Sequence, residues 1–431
     1  MNNSEIYVSL DIGTSTTKVI IAEMANDSLN IIGVGNVRSE GIKKGSIVDI
    51  DETVLSIRRA IEQAERMVGM KIDHVIVGIA GNHVMLQPCH GVVAVQSGNR
   101  EITDGDVQRV MDAAQVLSIP PEREIVNVIP KQFIVDGLDE IHDPRGMIGV
   151  RLEVEGVIVT TSKTILHNTL RCVERAGLTI AEIVLQPLAA GAIALSKDEM
   201  ELGTVLVDIG GGSTTLAVFE NGHIQTTSVL PVGGDHITKD LSICLRTSTE
   251  DAERIKLKHG HAFSPDALED DVFDVQIIGS EQKEQFNQLQ ISDIIEARLE
   301  EIFLFVQQEL KRIGIHDLPG GIVLTGGTAN MPGVPELAQS VFQSRVRVAI
   351  PDYIGVREPQ YTTAVGLIQY ACRHARLQGR NVSSHAVAAG MEYAEPKPAK
   401  KPQSKPKPKQ ESRQEEKISS KMKKFFGLFF E

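Results

Sequence analysis

The chain repeats itself. Laid over itself without gaps at an offset of 197, residues 8–23 (VSLDIGTSTTKVIIAE) fall on residues 205–220 (VLVDIGGGSTTLAVFE), with six of sixteen positions identical. The shared Asp-Ile-Gly is flanked by apolar runs in both copies, so each reads as strand, tight turn, strand. Two such copies so far apart predict a duplicated α/β fold with a site between the copies. At 431 residues the chain also exceeds what a single core usually serves.

Both turns suit a phosphate chain. Backbone N–H groups in a tight turn can point together at anionic oxygens, and small residues let the anion approach. Gly13-Thr14-Ser15-Thr16 and Gly210-Gly211-Gly212-Ser213-Thr214 meet that requirement and end in hydroxyls. Asp11 and Asp208, each at a strand end, are placed to hold Mg²⁺, through water because Mg²⁺ dehydrates reluctantly. Lys18 can supply a point charge to the phosphates. Either turn alone could be an ordinary Asp-Gly turn; two aligned copies favour the shared site. A third glycine-rich element, IVLTGGTANMPGV at residues 322–334, ends a buried strand in Gly326-Gly327-Thr328 and suits close approach of a base or ribose.

Between these elements the pattern alternates strand and helix. Asp51 is placed to cap a helix whose apolar Val54, Ile57, Ile61 and Ala64 share one face. HVIVGIAG reads as a buried strand. Residues 84–162 differ in texture, with two amphipathic strand patterns (GVVAVQ, KQFIVDG), a helix from Thr103 or Asp104, and RLEVEGVIVTT as a further strand. A helix over residues 163–176 follows. In STEDAERIKLKHG, Ser248 and Asp251 are spaced as a capping box, with Gly260 as the stop.

The order DIGTSTTK, IVLQPLAAGAIAL, VDIGGGSTTLAV, VLTGGTANMPGV, TTAVGL resembles the five motifs of the actin, Hsp70 and sugar-kinase superfamily. That resemblance implies two like α/β lobes enclosing ATP and Mg²⁺, with Gln186 orienting a water and Glu253 and Lys256 flanking the adenosine. Nothing follows the body that is long enough for an Hsp70 substrate domain, and no sugar pocket is evident. REITDGDVQRVMDAA, VIPKQFIVDG and DPRGMIGVRLEVEG resemble the inserted subdomain of the FtsA family of actin-like bacterial division proteins, and the likeness runs over nearly all of residues 6–375. It implies a protein that links filaments of the tubulin-like FtsZ to the inner face of the cell membrane at the division site, forms actin-like filaments with itself, and recruits later division proteins. Arg298 matches a basic position used for the FtsZ C-terminal peptide; alternatively it is a solvated helix charge. At most slow ATP hydrolysis is implied. The alternatives are a pilus-assembly scaffold of the same fold and an active ATPase or phosphotransferase.

The end of the chain has a composition of its own. Residues 396–431 carry +7 against a total of −13, leaving −20 on residues 1–395. So acidic a body argues against general nucleic-acid binding, and a basic end suits an anionic surface. The Pro- and Lys-rich stretch at residues 386–415 reads as a disordered linker. In residues 416–431 (EKISSKMKKFFGLFFE), Ile418, Met422, Phe425 and Phe429 gather within about 60° of arc on a helix, with Phe426 beside them. Phe430 adds to the apolar content, while Lys421 and Lys424 face anionic headgroups. The other reading is a helix docking in a protein groove. No apolar run approaches the roughly 20 residues of a spanning helix, the start MNNSEIYVSLDIG lacks a secretory signal, and the four scattered cysteines read as reduced thiols.

The expected organisation is a first-lobe core (1–83 and 163–195) interrupted by the inserted subdomain (84–162). A second-lobe core follows (196–230 and 301–385), interrupted by a small subdomain for FtsZ-peptide docking (231–300). The linker and terminal helix complete it. The fold class is thus α/β: a two-lobed, duplicated, ribonuclease-H-like actin fold.

Overall fold

The duplicated hairpins form in identical register. In the computed structural model, Ser4–Ile12 pairs antiparallel with Thr16–Ala25, setting Asp11 opposite Lys18. Thr204–Ile209 pairs with Thr214–Glu220, setting Asp208 opposite Thr215, the same match displaced by 197 residues. The structure describes residues 4–25, 28–280, 282–315, 318–377, 382–383 and 385–387. Nearly all of the expected linker and the whole of the expected terminal helix lie outside these.

Each hairpin seeds a sheet built the same way. A third antiparallel strand extends the meander, Ser28–Arg38 in one sheet and His223–Leu230 in the other. Two parallel strands join the opposite side, His74–Ile79 then Thr179–Leu185, and Ile322–Thr325 then Val346–Val348. The inner strand of each parallel pair holds a continuous apolar run, residues 75–79 and 322–324, because both of its faces are covered, whereas Glu182 and Arg347 interrupt the outer strands. In the first sheet Val8 and Leu10 pack towards helix Ile50–Val68, while Tyr7, Ile20 and Ile76 pack towards helix Thr362–Leu377. This is the two-actin-lobe plan, and the α/β reading of the repeat holds.

The cap of helix Ile50–Val68 differs from expectation. Asp49, not Asp51, is the N-cap, its carboxylate accepting from the Glu52 N–H at 3.1 Å. Asp51 lies in the first turn, where its charge still favours the helix dipole. The predicted face is buried, and Gly69 at φ 70° ends the helix in the left-handed conformation that glycine tolerates best.

An extra module interrupts the first lobe. Its sheet runs in the order Met85–Ala94, Arg151–Ser162, Arg123–Val135, Leu138–Ile141, all antiparallel. RLEVEGVIVTT is therefore the strand between the two amphipathic ones. Helix Asp104–Ala114 covers one face, and Val107, Val110 and Met111 meet Val128, Phe133 and Ile158 in a core of the module's own. The second lobe carries helices Gly234–Cys244 and Thr249–His259, a hairpin of Val272–Gln276 with Lys283–Asn287, and the long helix Gln288–Arg312.

Two helices carry the chain between the lobes. Gln186–Ala194 leads out of the first sheet, and Thr362–Leu377 leads back, after which His385–Val387 pairs with Ser4–Ile6. They cross closely, because Gly366 lies on the Ala189 carbonyl and any Cβ there would overlap it. No described helix is long and apolar enough to cross a membrane. Gly366→Ala should lower stability by roughly 1–3 kcal/mol through overpacking, whereas Gly105→Ala, where a Cβ meets only the Thr103 hydroxyl at 3.7 Å, should be neutral or slightly stabilising. Urea unfolding of both variants checks this; equal midpoints would show that the crossing has room to relax.

Candidate functional site

The turn of each hairpin is closed by its own backbone. The Gly13 N–H donates to the Thr16 carbonyl at 3.1 Å, and the Gly210 N–H donates to the Ser213 carbonyl at 3.0 Å. The two turns meet across a cleft of about 510 Å³ between the lobes. A Cβ on Gly211 would overlap the Ser15 hydroxyl, and one on Gly212 would press on the Thr14 methyl. Glycine is thus demanded by the opposite turn as well as by anything that enters. Ser15 Oγ donates to Asp235 Oδ1 at 3.0 Å, which joins the first turn to the start of helix Gly234–Cys244.

Two carboxylates stand at the base of the cleft. Asp11 accepts from Gln186 Nε2 at 2.6 Å and lies 3.6 Å from Lys18 Nζ. Among the described residues, Asp208 accepts only from the Thr363 hydroxyl, at 3.2 Å. Burial first, and then the charge of Asp11, push the Asp208 carboxyl up to about 6. Such a pair, one member short of positive partners, fits a hydrated Mg²⁺, whose charge would offset both the burial and the repulsion. Gly326, at φ 92°, fits against Asp208 where a Cβ would overlap the carboxylate.

Helix Thr249–His259 forms the far wall. Half of the predicted capping box forms: Ser248 Oγ accepts from the Asp251 N–H at 3.0 Å, but the Asp251 carboxylate takes the Ser248 hydroxyl at 2.8 Å in place of its backbone N–H, and Gly260 ends the helix without a left-handed turn. Lys256 is buried, its ammonium 2.7 Å from Glu253 and donating to the Thr238 hydroxyl at 2.8 Å and the Gly234 carbonyl at 3.2 Å. The Thr238 hydroxyl in turn donates to Glu253. The cation is satisfied three times over, so it fixes the wall rather than roaming. Thr328 Oγ1 donates to the Gly210 carbonyl at 3.2 Å, tying the third glycine-rich element to the second turn.

Of the residues singled out in the two turns and the third element, with Lys18, Gln186, Glu253 and Lys256, all but one border this cleft. The exception is Thr214. Its side chain is buried and donates to the Val232 carbonyl at 2.8 Å, and Thr215 lines the cleft in its place. Sequence reasoning also missed Asp235 and Thr363. The Gly233-Gly234 pair before Asp235 and the Thr362-Thr363 start of a helix were the available signals. Arg298 lies away from the cleft and is no free cation: its guanidinium is held by Asp240 at 2.5 and 3.1 Å and by Glu301. Ile418, Lys421, Met422, Lys424, Phe425, Phe426, Phe429 and Phe430 lie outside the described residues.

Comparison with known proteins is consistent along the chain. Residues 205–366 match the family described as "Cell division protein FtsA", and residues 81–160 match the "SHS2 domain inserted in FTSA". Cell division protein FtsA of Bacillus subtilis is 66% identical over 382 residues, covering 89% of this chain and 87% of that protein. The Escherichia coli protein of the same name is 33% identical, covering 90% and 95%. Among solved structures, a "PilM-PilN type IV pilus biogenesis complex" aligns with TM-score 0.58 at 16% identity over 84% of this chain and 98% of that one. MreB5 of Spiroplasma citri bound to ADP aligns at 0.53 and 14%, covering 86% and 98%. These last two share the fold.

The raised Asp208 carboxyl has a measurable sign. Its proton affinity is higher folded than unfolded, so the charged form costs stability above about pH 6, and the cost fades as the pH falls towards about 4. In the absence of Mg²⁺ and nucleotide, Asp208→Asn should therefore stabilise the protein at neutral pH by roughly 1–3 kcal/mol. That gain should vanish at the acidic end of a urea-denaturation series. No gain at neutral pH would mean that Lys18 already compensates the charge.

Proposed function

The chain belongs to the FtsA family of cell division proteins, and on that premise we propose that it binds Mg²⁺–ATP and fastens FtsZ filaments to the cytoplasmic face of the cell membrane at the division site. The observation that carries this reading is the 66% identity held along 89% of the chain. Self-association into an actin-like filament and recruitment of later division proteins, through the inserted module at residues 84–162, complete the proposal.

In the cleft, the amides of residues 13–16 and 210–213 would cradle the phosphates, with Lys18 as the adjacent cation. Asp11 and Asp208 would hold Mg²⁺ through water. When bound, the metal screens the phosphate charge. Glu253, Lys256 and the Gly326-Gly327-Thr328 element would flank the nucleoside. Gln186 donates its amide N–H to Asp11, which fixes the side chain and leaves its carbonyl oxygen to accept from a water. That supports at most slow hydrolysis.

FtsZ would dock its C-terminal peptide on the small subdomain at residues 231–300, with Arg298 beside it. There the peptide's carboxylates must compete with Asp240 and Glu301 for the guanidinium. The membrane contact would be peripheral, through Ile418, Met422, Phe425, Phe426, Phe429 and Phe430, with Lys421 and Lys424 at the headgroups. A pilus-type scaffold has one observation in its favour, the fold likeness to the PilM–PilN complex, but at 16% identity.

Co-sedimentation of FtsZ filaments with anionic liposomes tests the tether. FtsZ should pellet with the intact protein and fail to pellet with Phe425→Asp plus Phe429→Asp. Equal pelleting with both proteins would remove the terminal segment as anchor, and pelleting of this protein without FtsZ would remove the named partner. For the cleft, Mg²⁺–ATP should raise the melting temperature of the intact protein but not that of Gly211→Val, whose side chain overlaps Ser15.

A further inference from the structure

A second cavity, of about 610 Å³, opens where the inserted module meets both lobes. Its floor is apolar, with Met24 and Leu29 from the first sheet, Phe133 from the module and Tyr353 from the second lobe. Its rim is cationic. Lys131 and Arg373 border it, and neither enters an ion pair among the described residues. The one carboxylate at the rim, Asp143, is 3.1 Å from Arg145, whose Nε lies 2.7 Å from Asp104. Burial, and then the nearby Lys131 charge against the opposing Glu201 carboxylate, hold the His223 imidazole below its usual range.

Two features make this surface stand out. Residues 1–395 carry −20 overall, so a concave site with unpaired cations and, among the described residues, no unpaired carboxylate in its lining runs against the charge of the body. Gln369, on helix Thr362–Leu377, borders the cavity with its side-chain carbonyl oxygen buried and without a hydrogen-bond partner among the described residues. A buried acceptor left unpaired is unfavourable until a donor arrives. A bare anion would leave both that acceptor and the apolar floor unused.

We propose that this cavity docks an acidic peptide segment of a partner protein, distinct from the surface at residues 231–300. An apolar side chain of the segment rests on Phe133 and Tyr353, flanking carboxylates meet Lys131 and Arg373, and a backbone N–H donates to Gln369 Oε1. Since the walls come from the module and both lobes, the bound segment touches all three.

The test uses the full-length protein and fluorescein-labelled Asp-Asp-Phe-Asp-Asp, with Lys-Lys-Phe-Lys-Lys as control, read by anisotropy. The acidic peptide should bind, more weakly as salt rises, and the basic one should not. Lys131→Glu with Arg373→Glu, both at the rim, should weaken binding by about tenfold or more, with an unchanged melting temperature. Gln369→Leu should weaken it without altering the salt dependence. The proposal is overturned if the acidic peptide binds no tighter than about 1 mM, or if the charge-reversed variant binds it equally. It is overturned too if charge reversal lowers retention on phosphatidylglycerol vesicles while peptide affinity stays the same, since the surface would then serve lipid.

Discussion

The approach of Gly366 to the Ala189 carbonyl sets how the two lobes stand to one another, because there the outgoing and returning helices touch backbone to backbone. Each of these helices begins by holding a cleft carboxylate. Gln186, the first residue of one, donates to Asp11, and Thr363, the second residue of the other, donates to Asp208. The returning helix also ties down both sheets, since the Ala364 carbonyl accepts from Ser9 and the Thr325 hydroxyl donates to Thr362. Spacing of the lobes and placement of the two acids are therefore one constraint. A change at the crossing is felt at the base of the cleft.

The glycines of the second turn show the same dependence from the other side. Their lack of a side chain is required by Thr14 and Ser15 across the gap, so the cleft is narrow before any ligand is considered. Negative charge at its base, with Asp208 pushed towards neutrality, leaves the unliganded protein electrostatically unfavourable there. Binding a cation and its polyphosphate would resolve that local conflict.

Much of this was legible in the residues. The hairpins could be read because a period of two, a glycine turn and an offset copy all point to one backbone path, and the pairing register keeps the offset. The Thr214 error lies within that same period. In Ser213-Thr214-Thr215 the run of hydroxyls conceals the alternation that turns the middle one into the core. Asp49 and Asp51 are equivalent as sequence signals, and only the entry of the chain into the helix separates them. Asp235 and Thr363 gain their roles from approaches across 155 residues or more, which no local pattern encodes. Arg298 is singled out by family resemblance alone, and its pairing with Asp240, 58 positions earlier, is written in no local pattern.

The inserted module enters and leaves through neighbouring strands. Met85, at its first strand's start, stands opposite Thr160, near the end of its last. The two cuts needed to excise it therefore lie about one strand spacing apart, roughly 5 Å, and its core of Val107, Val110, Met111 and Phe133 leaves with it. The covalent junction is narrow, but Val159 also packs with Leu188 and Phe219 of the body, so a replacement would have to cover that patch. A lineage could exchange it for another cassette while the duplicated body kept its own strand order.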